Sequence, residues 1–143
     1  MLVPLKNFIC DDCGSVIEKP EDGWLEWFDD YETPMEGFRI VHSYGTSPKR
    51  DKGGNCYYTQ STKVSDNHLT HFMGSDGLAF LLAKFDRNLA NPRELAEIIR
   101  RLHIPHYEEA RLFMDRAHKD GLLDSRDNDQ KTLLMIIQEY APK

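Results

Sequence analysis

The chain has 143 residues, with 40% apolar and 29% charged side chains and a formal net charge of −6. That composition belongs to a globular protein rather than a disordered or collagen-like one. No apolar run approaches the roughly 20 residues a membrane-spanning helix requires. Charge is uneven: residues 1–75 carry 12 acidic and 7 basic side chains, residues 76–143 carry 12 and 11. The acidic first half is a poor electrostatic match to a phosphate backbone, which disfavours nucleic acid and leaves a protein as the expected partner. The start, Met1-Leu2-Val3-Pro4-Leu5-Lys6, has no basic region followed by a long apolar stretch, so no signal peptide is read there and the expected compartment is the cytoplasm.

In chain order, the first half shows a β pattern. Asn7–Cys10 and Ser15–Glu18 flank Cys10-Asp11-Asp12-Cys13-Gly14 as a short hairpin. Lys19-Pro20-Glu21-Asp22-Gly23 is a turn by composition. The aromatic run Trp24–Phe28 reads as a strand, Asp29–Glu36 as a polar loop broken by Pro34. Glu26, Asp29, Asp30, Glu32 and Glu36 concentrate negative charge there, read as a solvated acidic surface. Gly37–Ser43 is a strand that places Phe38, Ile40 and His42 on one face. Tyr44–Asn55, nearly free of aliphatics, is an exposed loop, and Cys56–Gln60 a last strand.

The second half turns to helical spacing. Asp66–Met73 reads as a short helix and Gly74-Ser75-Asp76-Gly77 as a break. Leu78, Leu81, Leu82 and Phe85 fall at i, i+3, i+4, i+7, a core-facing stripe. Asn91-Pro92-Arg93-Glu94 is a helix start, with a capping side chain, a proline in the first turn and an acid after it. Leu95, Ile98, Ile99 and Leu102 supply the buried face of that helix. Pro105 interrupts. The next helix carries Tyr107, Ala110, Leu112, Phe113 and Ala117 and closes at Gly121. Asp127-Asn128-Asp129-Gln130 can cap a last helix bearing Leu133, Leu134, Ile136 and Ile137. The fold class expected is α+β: a small zinc-stapled antiparallel β unit over 1–60, a connecting segment over 61–75, and a bundle of three to four helices over 76–143 packed on it.

The chemistry is concentrated in the cysteines. In a reducing compartment a CxxC pair points to metal binding rather than to a structural disulfide. A structural zinc needs four sulfur or imidazole ligands. Cys10 and Cys13 give two, and Cys56, after Gly53-Gly54-Asn55, a third. His42 is the first choice for the fourth because its strand face is apolar; His68 and His71 are the alternatives. Asp11 and Asp12 are expected to face solvent in the turn, where nearby carboxylates also disfavour a redox-active thiolate.

The CxxCG knuckle between Phe8-Ile9 and Val16-Ile17 resembles the zinc-ribbon and rubredoxin-like class of metal sites, over residues 7–18 and in looser form over 37–60. It departs from that class in lacking a second CxxC. The resemblance implies a structural Zn2+, and the function expected from the chain as a whole is a small non-enzymatic interaction module. Two other functions are carried forward. Residues 92–124, ending Asp120-Gly121-Leu122-Leu123, resemble a helix-turn-helix of a DNA-binding regulator, although bases and acids balance there. Val41-His42 and Asp66-Asn67-His68 are a loose echo of an HNH-like nuclease, which keeps a metal-dependent hydrolase in view.

Overall fold

The structure is a computed structural model that describes residues 1–59, 63–123 and 129–143. The fold is α+β, with two small antiparallel sheets followed by helices. Strands β1 (Phe8–Ile9) and β2 (Val16–Ile17) form a minimal hairpin, with Phe8 opposite Ile17 and Ile9 opposite Val16. Strands β3 (Gly23–Phe28), β4 (Glu36–His42) and β5 (Val64–His68) form the second sheet in the order β4-β3-β5. Trp24 pairs with Val41 on one side and His68 on the other, and a register shift between Glu26 and Phe28 bends the β3–β4 ladder. The alternation read for β4 holds: Phe38, Ile40 and His42 are all buried, although Val41 is buried too.

Helices α1 (Gly74–Ala83) and α2 (Pro92–His103) close the core of these sheets. Asn91 caps α2 by accepting from the Arg93 N–H, with Pro92 in the first turn as the sequence requires. Leu95, Ile98 and Leu102 join Leu25, Ile40 and Leu81 in one cluster, and Ile99 packs at its margin. Helix α2 also supports β4 directly, since Glu94 accepts from the Gly37 N–H at 3.1 Å. A second cluster unites Tyr107 and Ala110 of α3 (Tyr107–Ala110), Ala117 of α4 (Met114–Lys119) and Leu133, Ile136 and Ile137 of α5 (Gln130–Tyr140). Asp129 caps α5 through the Thr132 N–H, and Gly121, at φ +76, ends α4. Asp127 and Asn128 lie outside the described residues.

Several expectations are corrected. No strand covers 56–59, and Gln60 is outside the described residues; the third strand of the larger sheet is Val64–His68, where a helix from Asp66 was read. Pairing with β3 overrides the capping signal of Asp66, and only Leu69–Phe72 turns, as a 3-10 helix. Gly74–Gly77 is the first turn of α1 rather than a break. A Cβ on Gly77 would lie 2.1 Å from the Phe72 carbonyl carbon, so the helix is pressed on that backbone along its Gly77–Leu81 line. That rotation leaves Leu82 50% and Phe85 38% exposed, so the stripe read across them is not the buried face. The helix read from Tyr107 through Ala117 is interrupted by a 3-10 turn at Arg111–Phe113.

Candidate metal centre

The knuckle is built by backbone hydrogen bonds. Cys10 donates to the Ser15 carbonyl and Gly14 donates back to the Cys10 carbonyl, each at 3.0 Å. Gly14 sits at φ +78, in open space, which a residue with a Cβ would adopt only under strain. The turn is fastened to β4 at Ile40: its carbonyl accepts from the Asp11 N–H and its N–H donates to the Asp11 carboxylate, both at 2.7 Å. Strand β4 then delivers His42 two residues further on, the same face alternating inward. The loop after it returns Cys56 beside this group.

Cys10, Cys13, His42 and Cys56 thereby converge, with one ligand atom from each within 4.8 Å of all the others. His42 Nδ1 lies 3.5 Å from Cys13 Sγ and 3.8 Å from Cys56 Sγ. Tetrahedral zinc with ordinary Zn–S and Zn–N bond lengths sets that edge at about 3.6 Å. The other imidazole nitrogen, Nε2, is 3.2 Å from the Val16 carbonyl. A carbonyl only accepts, so Nε2 carries the proton and Nδ1 presents its lone pair to the sulfurs. All three cysteines are free thiols. These are the four residues named from the sequence, and their donor atoms lie close enough together that they could hold a metal ion. His68 and His71 are elsewhere: His68 is exposed with its ring edge to Trp24, and His71 stacks on Phe80.

The surroundings explain the thiol electrostatics. Burial pushes the Cys56 thiol up to about 12, even though the Ser47 hydroxyl lies 2.9 Å from its sulfur. Ser47 Oγ also accepts from the Lys49 N–H, which holds the hydroxyl beside Cys56. Burial opposes ionisation of Cys13 as well, yet the Ser15 hydroxyl and N–H bring that thiol below its ordinary value. A buried thiol with so high a pKa is a poor nucleophile on its own; a cation is what would draw its proton off.

Asp11 and Asp12 do not simply face solvent. Asp12 pairs with Lys49 and Arg39. Asp11 is 2.7 Å from Arg101, a guanidinium only 4% exposed, which also grips Glu108 through two nitrogens at 2.6 and 2.9 Å. The same Arg101–Glu108 pair satisfies the outer edge of β1: Arg101 donates to the Ile9 carbonyl and Glu108 accepts from the Ile9 N–H. The acidic surface read around β3 is similarly engaged. Glu26 is fully buried against Arg39 and the Tyr58 N–H, Asp29 meets Arg87 through both oxygens, and Asp30 pairs with Lys63, leaving Glu32 and Glu36 exposed. Sequence reasoning missed Arg101, Glu108, Ser15 and Ser47. Only Ser15, two residues from Cys13, had a local signal.

No protein-family model, curated protein or solved structure matches this chain. Among the described residues no helix is long and apolar enough to cross a membrane.

Proposed function

We propose that Cys10, Cys13, His42 and Cys56 bind one zinc ion in a closed tetrahedral site, and that the protein is a non-enzymatic binding module with this ion as a structural staple. The observation that carries the reading is the convergence of three thiols and one imidazole nitrogen within 4.8 Å. A sulfur-rich, tetrahedral donor set suits zinc, and four protein ligands leave no position for an activated water. The zinc would draw the protons from the thiols and fix the knuckle, β4 and the Cys56 loop to one another. A reducing cytoplasm fits three cysteines kept as thiolates.

A catalytic metal needs an open position and a free base beside it. The carboxylates nearest in sequence, Asp11 and Asp12, are held by Arg101 and by Lys49 and Arg39, which weighs against a hydrolase. The helix-turn-helix reading loses Arg101 as a DNA contact because that side chain is buried.

Elemental analysis of reduced protein should find one zinc per chain. Cobalt substitution should give the spectrum of a sulfur-rich tetrahedral site that azide does not shift. His42→Ala should open the site to azide, whereas His68→Ala and His71→Ala should leave it closed. Metal-free protein, or an azide-sensitive spectrum in the wild type, would overturn the closed structural site.

A further inference from the structure

The loop that returns Cys56 to the metal centre has a second face. Tyr44, Arg50, Gly53, Gly54, Asn55 and Tyr57 line a cleft of about 220 Å³. It shares Gly53, Gly54, Asn55 and Tyr57 with an adjoining cavity of about 750 Å³ that Phe28, Tyr58, Arg39 and Asp12 also line, the Asp12 carboxylate being paired with Arg39 and Lys49. Together they form one groove beside the knuckle. Its chemistry is opposite in sign to the chain as a whole. Arg50 lines the cleft, and Lys49 and Lys52 are exposed beside it on the 3-10 helix Pro48–Lys52, which carries one acid, Asp51. Lys49 is paired with Asp12; Arg50 donates to the Gly45 carbonyl at 3.1 Å, but neither it nor Lys52 has a salt bridge among the described residues.

The groove also offers ring faces. Tyr44 is 76% exposed, and its ring centroid lies 6.5 Å from that of Tyr57, tilted by 44°. Tyr57 is backed by Trp24 at 5.5 Å, which holds it in place. A tyrosine this exposed, on a loop nearly free of aliphatics, is not accounted for by the core. Gly53 lies at φ +74 with nothing near its Cβ position, so the backbone there is open to close approach. A row of ring faces beside cations and bare backbone is what a flexible strand of planar bases and phosphates needs.

We propose that this groove binds single-stranded nucleic acid, with bases stacking on Tyr44 and Tyr57 and phosphates meeting Arg50 and Lys52. The proposal rests on the structural-zinc reading, because Cys56 and Ser47 pin both arms of the groove at the metal centre. The chain-wide acidic balance still disfavours a duplex, whose rigid phosphate rows would meet Glu and Asp beyond the patch. Bases in a single strand are free to splay onto the rings.

The test is fluorescence anisotropy of short labelled oligo(dT) and oligo(U) with zinc-loaded protein, against a duplex of equal length. Saturable binding to the single strands is expected, and binding to the duplex at least ten-fold weaker. Two neutralised phosphates give a slope of log affinity against log salt of about −1.4 for a single strand. Tyr44→Ala, at an exposed side chain, should weaken binding about ten-fold, while Tyr44→Phe keeps it. Arg50→Glu/Lys52→Glu should abolish it. Zinc content is measured for every protein, so a wild type with its zinc but no binding sinks this proposal alone. Binding that ignores Tyr44→Ala, matches the duplex, or is displaced equally by poly-glutamate would also overturn it, the last by showing a patch that reads charge only.

Discussion

Replacing Arg101 with methionine tests how the metal centre is joined to the helices. The guanidinium makes two hydrogen bonds to Glu108, one to Asp11 and one to the Ile9 carbonyl, and is almost wholly buried. Removing one member of a buried ion pair costs about 3–5 kcal/mol, because the other charge stays buried without its partner. Glu108 would keep Arg111 at 2.8 Å and the Ile9 N–H, so the cost should fall near the lower end, about 3 kcal/mol. Most of it should come from the stranded Glu108, so Arg101→Met/Glu108→Leu should cost less than the two single changes added together, by more than about 1 kcal/mol. The acid limb gives a second readout. Burial alone would raise the Glu108 carboxyl, but the Arg101 guanidinium holds it below its ordinary value of 4.5. A depressed carboxyl contributes stability that is present above pH 4.5 and lost as pH falls through the folded-state pKa. Arg101→Met should therefore be most damaging near neutrality, and its difference from the wild type should shrink in acid. Urea unfolding from pH 7 downward measures both. A variant within about 0.5 kcal/mol of the wild type, or a strictly additive double variant, would refute the network as a buried, coupled unit.

Gly77→Ala should be among the most damaging single-methyl changes, costing more than about 2 kcal/mol in urea unfolding, since the new Cβ meets main chain rather than a movable side chain. Arg87→Ala should lower the melting temperature at neutral pH, because Arg87 binds both oxygens of Asp29 and holds that carboxyl below 3.8; the deficit should fade as pH drops through the folded-state pKa. A deficit that is independent of pH would assign Arg87 a packing role instead.

The candidate site was legible because its signals are local or periodic. CxxCG fixes a turn, and alternation along β4 points His42 inward with Phe38 and Ile40. Helix α2 was equally plain, since its cap, its proline and its apolar spacing agree. Strand β5 was not, because Val64–His68 has a polar sequence and earns its place by pairing with β3, an interaction between residues some forty positions apart. The face of α1 was misread for a related reason. Its apolar spacing is ambiguous, and the close approach of Gly77 to Phe72 decides the rotation. Asp11 is exposed as read, but its pairing with Arg101, 90 residues away, had no local signal.

Asp11 is the point at which these levels meet. It is one of two residues between Cys10 and Cys13, so the turn that sets the sulfur positions also sets its carboxylate. One oxygen of that carboxylate receives both the Ile40 N–H of β4 and the Arg101 guanidinium of α2. Ile40 is two residues from His42, and Arg101 holds Glu108 of α3. Two of the proposed ligand-bearing segments and helix α2 therefore meet at a single side chain, and α3 joins them through Arg101. An acid at this position serves the knuckle better than a neutral residue, because one oxygen accepts from both the Ile40 N–H and Arg101. Its charge is spent on Arg101 rather than on the sulfurs, and the pairing gives the short β1–β2 hairpin the long-range support that two-residue strands lack on their own.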